Sequence, residues 1–226
     1  MTAIAIRAYW TFNRQDLSEV DLAEAQIHFD RRLGASGYGW IFPVATQGEC
    51  VKLNVGVGAW LDELQKINTN VIQLFKQFIQ SNQQTRHLLS KAVRQDAPKV
   101  YPLATAQKGN RVADGNILKI GDAANLTDLL TGEGIANAVL SGLYVAQAIN
   151  MSRSSEVAAA NWQYLYESHF EADLRAGLQI KAFRKFSWMN TLLIWSMKQN
   201  PRVATQVSHA VAGLVPYHQV LPSLKY

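Results

Sequence analysis

The stretch Gly121-Asp-Ala-Ala-Asn-Leu-Thr-Asp-Leu-Leu-Thr-Gly-Glu-Gly-Ile135 decides how this chain is read. It follows a short apolar run, Ile117, Leu118 and Ile120, whose pattern predicts a buried strand. It leads into residues 135–149, where Ile135, Val139, Leu143, Ala146 and Ile149 recur at helical spacing. A strand ending in Gly121-Asp122 and a loop ending in Thr131-Gly-Glu-Gly134 at a helix start outline an anion and ribityl site. Asp122 can accept hydrogen bonds from sugar hydroxyls. Gly132 and Gly134 let bare backbone approach a ligand. The N–H groups and positive dipole end of the helix favour phosphate or an electron-rich carbonyl.

Upstream, residues 3–12 alternate Ile4, Ile6, Ala8, Trp10 and Phe12 against Ala5, Arg7, Tyr9 and Thr11, the period of a strand. Residues 25–29, 39–44 and 49–57 read as further strands between the turn signals Leu33-Gly-Ala-Ser-Gly37 and Thr46-Gln-Gly48. Tyr38, Trp40 and Phe42 fall on one face of their strand, a surface suited to a long apolar ligand or to an ordinary core. Arg7 sits mid-strand on the face opposite Ile6 and could approach a diphosphate or flavin, but a solvated strand arginine is the expected account. Residues 60–79 change to a helical stripe, residues 84–94 to a second short helix, and residues 101–106 return to strand. Asp114-Gly115-Asn116 is a turn. From Glu156 the pattern is helical to about Lys198, with a break near Gly177 or Phe186 and a restart at Pro201. The expected class is α+β: an antiparallel-rich sheet with inserted helices over residues 1–105, the decisive stretch and its helix over 106–150, and a helical region over 151–226.

A chain of 226 residues with 48% hydrophobic and 17% charged residues has the composition of an ordered globular protein. One cysteine, Cys50, excludes an internal disulfide framework, and the five scattered histidines lack metal-ligand spacing. No signal-peptide pattern opens the chain, and the apolar run 186–197 is too short to span a bilayer, so a cytoplasmic location is expected. All 17 acidic residues lie at or before Asp173, while seven Lys and Arg follow it. That basic tail, with Arg175, Lys181, Arg184, Lys185, Trp188, Trp195, Lys198 and Arg202, suits either a solvated helical face or peripheral contact with an anionic membrane. No nucleic-acid reader motif accompanies the charge, so nucleic acid is not an expected partner.

The decisive stretch resembles the second flavin-binding motif of FAD-dependent oxidoreductases with a hydroxylase-type fold. It is most similar to that of the geranylgeranyl reductase family, which runs Gly-Asp-Ala-Ala, a short loop, then Pro-Leu-Thr-Gly-Glu-Gly-Ile. Gly37-Tyr-Gly-Trp-Ile-Phe-Pro43 resembles the family's Tyr-x-Trp-x-Phe-Pro motif, and Leu53-Asn-Val-Gly-Val-Gly58 the strand after it. Ala138 and the Ser141-Gly142 pair also fit. Leu129 departs from the pattern, standing where the family usually has proline beside the flavin ring. The resemblance implies FAD, with NAD(P)H or another reductant as electron donor, held by Gly121, Asp122, Thr131, Gly132, Glu133, Gly134 and Ile135. It also implies that Tyr38, Trp40, Phe42 and Pro43 line a prenyl or aromatic substrate, and that the reaction reduces C=C bonds of an isoprenoid chain. It assigns no catalytic acid or base. Flavin hydroxylases and halogenases are the alternatives, although halogenases carry Trp in place of Tyr38 and Ile in place of Phe42. No Gly-x-Gly-x-x-Gly opens a strand–helix unit, so the chain is expected to be the C-terminal part of a flavoprotein. An N-terminal half supplied by another polypeptide, or a non-catalytic remnant that binds apolar ligands, would account for the same pattern.

Overall fold

The computed structural model describes residues 2–18, 22–29, 33, 37–81, 83–105, 109–184, 187–211 and 213–219. The chain divides into two compact units, residues 2–103 and 104–226. The first is built on a six-stranded sheet of β1 (Thr2–Asn13), β2 (Gln26–His28), β3 (Tyr38–Gln47), β4 (Cys50–Trp60), β5 (Arg94–Gln95) and β6 (Lys99–Ala104). Its order is β2-β3-β4-β1-β5, with β6 also pairing β1. β4 is the spine, antiparallel to β1 from Ala3↔Trp60 to Asn13↔Cys50 and antiparallel to β3 on its other side. Gln47 and Cys50 close a two-residue turn whose first central residue, Gly48, has φ 60°, the conformation tight hairpins require. The β3–β4 register shifts between Pro43 and Ala45. Proline brings no N–H to the ladder, and the extra residue Val44 is expelled to solvent.

The alternation read from the sequence has a direct cause: helices cover one face of this sheet. Ile6, Ala8 and Phe12 of β1 and Val51, Leu53, Val55 and Val57 of β4 share a core with Leu74, Phe75 and Phe78. The helical stripe expected over 60–79 is two helices, Leu61–Lys66 and Val71–Ser81. Asn68 adopts φ 50° between them, and Asn70 Oδ1 accepts the Gln73 N–H at 2.9 Å to start the second. The next helix, Gln83–Ser90, stops short of the expected end. Cys50 is exposed at the hairpin.

His28 of β2 meets Phe78 edge-on with ring centroids 5.4 Å apart. Burial pushes its imidazole below the ordinary value. A group whose folded value is depressed contributes stability that is full above its unfolded value, near 6.5, and is lost as pH falls through the folded value. The 2–103 unit is therefore expected to lose stability over the pH interval that opens below about 6.5, and His28→Gln to flatten that slope. Thermal melts of both proteins across the interval check this; parallel curves would exclude His28 as the source.

The 104–226 unit holds a hairpin of β7 (Ala113–Asp114) and β8 (Ile117–Leu118), and the helices Ile135–Asn150, Ser155–His169, Glu171–Arg184, Ser187–Gln199 and Pro201–Val211. Val112, Leu126, Ala148, Trp162, Tyr166 and Phe170 form its main core. Two expectations are corrected here. The run Ile117–Leu118–Ile120 is not a buried strand: only two residues pair, and Ile117 is 64% and Ile120 43% exposed. The helix after it is present, but its apolar stripe (Ile135, Val139, Leu143, Ile149) faces solvent, while Ser141 and Ala148 are buried. Periodicity locates a stripe; it does not say that this unit covers it.

The tail breaks at Phe170, not at Gly177, which lies inside the Glu171–Arg184 helix; Phe186 lies outside the described residues. Ser154 caps one helix through the Val157 N–H, and Pro201 opens another. Among the expected basic positions, Lys181 is buried and Arg175 pairs with Glu171 at 2.7 Å, while Trp188 and Trp195 are exposed. Lys185 and the Arg184 side chain lie outside the described residues. No described helix is long and apolar enough to cross a membrane.

Candidate cofactor site

Gly121, at φ 51°, opens a 3-10 turn over Gly121–Ala124 beyond β8, and its N–H donates to Ser141 Oγ at 3.0 Å. A Cβ on Gly121 would lie 3.0 Å from Ala138 Cβ, so the start of this turn crosses the Ile135–Asn150 helix where only glycine fits. This crossing sets the direction of Asp122. Its carboxylate is exposed, and Thr127 Oγ1 donates to Oδ1 at 3.0 Å. A Cβ on Gly134 would sit 3.1 Å from the same oxygen. The carboxylate and the bare helix start are thus neighbours, and the space between them holds no side chain of residue 134.

The loop joining them is held by Asp128, a residue that the motif alone does not single out. Asp128 Oδ1 accepts the N–H groups of Leu130 (2.9 Å) and Thr131 (2.6 Å) and the hydroxyls of Thr131 (2.8 Å) and Tyr217 (3.1 Å). Asp128 N–H donates to Glu133 O at 2.7 Å, and Gly132, at φ 67°, turns the chain between them. Burial, then the adjacent Asp128 carboxylate, push the Tyr217 phenol far above its ordinary value, so it stays a donor. Burial likewise raises Asp173, which accepts the His218 N–H at 3.3 Å. The Asp-x-x-Thr spacing is the local signal for Asp128; the Tyr217 partner, distant in sequence, leaves none.

Two predicted residues therefore serve the loop. Thr131 binds Asp128. Glu133 Oε1 accepts the N–H groups of Ile135 and Ala136 (3.0 Å to the latter), so the chain caps its own helix start. Ile135 points to solvent. Leu129, at the family's proline position, is buried against Gly177, 3.3 Å from where a Cβ would stand.

In the 2–103 unit, Tyr38, Trp40 and Phe42 form a ring ladder with centroids 5.8 and 6.2 Å apart, extended by Phe29 at 6.0 Å from Tyr38. Trp40 Nε1 donates to Asn54 Oδ1 at 3.1 Å. The ladder lies on the sheet face away from the helices. Pro43 pairs with core-facing Leu53, so the structure does not bring it to the ladder.

No protein-family model matches the chain. It is 31% identical over 144 residues to the digeranylgeranylglycerophospholipid reductase of Thermoplasma volcanium, covering 62% of this chain and 34% of that one. It is 25% identical over 167 residues to digeranylgeranylglycerophospholipid reductase 1 of Methanococcoides burtonii (72% and 38%). The chain is thus similar in sequence to geranylgeranyl reductase-type proteins. A menaquinone reductase of Mycolicibacterium smegmatis is 28% identical over 134 residues (59% and 31%). The chain spans about a third of the length of the curated relatives it matches. Two solved structures share the fold. A geranylgeranyl bacteriochlorophyll reductase-like protein of Thermoplasma acidophilum has TM-score 0.62 and 23% identity over 80% of this chain and 43% of that one. A flavin-dependent brominase has TM-score 0.63 and 19% identity over 99% and 56%.

Proposed function

We propose that this chain supplies the substrate sheet and second flavin motif of an FAD-dependent reductase that saturates C=C bonds of a prenyl lipid. One observation carries the reading: an exposed carboxylate, Asp122, held against a helix start kept bare by Gly134. That pair suits a ligand with hydroxyls beside an electron-rich edge, which describes the ribityl end of a flavin. When bound, the flavin supplies the hydride, and the chain's residues position it. Asp122 accepts from hydroxyls, Gly134 admits close approach, and Asp128 holds the loop between them. The ladder of Tyr38, Trp40 and Phe42 offers an apolar chain a dry surface. The relatives' greater length and the exposed stripe Ile135, Val139 and Leu143 support a reading in which a nucleotide-binding polypeptide packs on that helix. NAD(P)H or another reductant would reload the flavin.

FAD titration of the purified chain tests this, alone and mixed with a polypeptide carrying a strand–Gly-x-Gly-x-x-Gly–helix unit. Saturable binding is expected in the mixture. Asp122→Ala is expected to weaken it about tenfold or more, with a modest drop in the melt because the buried Thr127 hydroxyl loses its acceptor. A mixture that stays colourless leaves the remnant reading. Reduced prenyl product, in place of a hydroxylated or halogenated aromatic, identifies the reaction.

A further inference from the structure

The loop of the candidate cofactor site is tied to the last described segment of the chain. At the close of the Pro201–Val211 helix, the Gly213 N–H donates to Ala210 O at 3.1 Å and the Leu214 N–H to His209 O at 2.8 Å. Gly213 takes φ 71°, the left-handed conformation such a helix stop needs, and residues 213–219 turn off as a strap. Tyr217 is buried in a cluster with Ala176 and Ala210, against which Leu130 of the loop and Ile180 pack. Its hydroxyl donates to Asp128 Oδ1. The next residue, His218, donates its backbone N–H to Asp173 Oδ1 and brings Nδ1 within 3.5 Å of the same oxygen. The strap therefore holds the loop with one residue and the Glu171–Arg184 helix with the next.

Asp128 already has three local donors, the N–H groups of Leu130 and Thr131 and the Thr131 hydroxyl. Those bonds shape the turn but do not orient it, because every partner moves with it. Leu129 also rests on Gly177, but an apolar contact has no preferred direction. Tyr217 supplies a directional bond from outside the loop, and so fixes the turn relative to the helices. The Gly132 N–H donates to Asp128 O and the Asp128 N–H to Glu133 O, so a shift at Asp128 reaches Gly134 and its spacing from Asp122. We infer that Tyr217 is a positioning residue of the flavin site, acting through Asp128, and that flavin binding and the seating of residues 213–219 strengthen each other. The inference rests on the flavin reading above and adds a residue to it. Coupling of this kind is reciprocal, so each event favours the other by the same factor.

The test follows amide hydrogen exchange and FAD affinity together, in the full chain and in its mixture with the polypeptide carrying the strand–Gly-x-Gly-x-x-Gly–helix unit. In the chain alone, Tyr217→Phe is expected to speed exchange at Leu130, Thr131 and residues 217–219 by about tenfold, while the Ser155–His169 helix keeps its rate. In the mixture it is expected to raise the dissociation constant for FAD about tenfold. In the wild type, FAD slows exchange at residues 217–219 by about the same factor, and in Tyr217→Phe it does not. Faster exchange spread evenly over the 104–226 unit makes Tyr217 a stability residue only and overturns the inference. An unchanged FAD affinity, or a strap whose exchange ignores FAD, overturns it as well and leaves the flavin reading standing. Should Tyr217→Phe fail to fold, wild-type exchange with and without FAD decides: protection at residues 217–219 supports the inference and its lack opposes it. A wild-type mixture that binds no FAD removes the flavin reading itself, and the positioning role with it.

Discussion

Alanine at Trp162 is expected to lower the stability of the 104–226 unit by about 3–5 kcal/mol. The side chain is wholly buried and packs T-shaped on Tyr166 and Phe170, each with centroids 6.3 Å away. Its indole N–H also donates to two carbonyls, Val112 O at 3.1 Å and Lys119 O at 3.0 Å. Those carbonyls belong to the two sides of the β7–β8 hairpin, so one ring ties both to the Ser155–His169 helix. Truncation leaves a large cavity and takes the indole donor from both carbonyls, of which Val112 O keeps the Lys119 N–H at 2.8 Å. Trp162→Phe keeps much of the volume and removes only the donor, and is expected to cost about 1–3 kcal/mol. Urea unfolding followed by circular dichroism orders the three proteins; an alanine variant within about 1 kcal/mol of wild type would contradict the account. Lys119 lies two residues before Gly121, so weaker flavin binding is expected to accompany the loss.

Gly121→Ala is expected to be the most costly single methyl addition in the candidate site, at about 2–4 kcal/mol. Two causes are separable. The backbone is at φ 51°, which strains any L-residue, and the new Cβ meets Ala138 Cβ at 3.0 Å. Ala138→Gly removes the second cause and leaves the first, so the double variant should recover part of the loss, a coupling that a double-mutant cycle measures. Simple additivity would mean that the turn at Gly121 does not press on the helix. Because Gly121 aims Asp122, FAD affinity should follow the same order.

Much of this is legible in the sequence where packing enforces a short-range rule. β1 and β4 alternate because helices cover one face only, and the Thr131-Gly-Glu-Gly134 stretch marks a helix start because few residues tolerate φ 67° at position 132. The nearness of Asp122 to Gly134 is readable for the same reason, since a short loop joins them. What depends on neighbours far along the chain is not. The Ile117–Ile120 run has the composition of a buried strand but too few partner strands to bury it. The interruption at Asn68 is an αL residue with no glycine to announce it. Tyr217 reaches Asp128 across 89 positions. Glu133 reads from sequence as an acid favoured near a helix dipole, and its direct hold on Ile135 and Ala136 is a rotamer choice that spacing does not encode.

That hold changes what the helix start can accept. The amides of Ile135 and Ala136 already face a negative charge from their own chain. An arriving anion meets an occupied berth and must displace a tethered rival at high effective concentration. Stray phosphate or sulfate gains almost nothing from such a swap. A ligand fastened at a second point, as a ribityl hydroxyl on Asp122 would be, can outlast the competition, so the tether filters out simple ions in favour of larger guests.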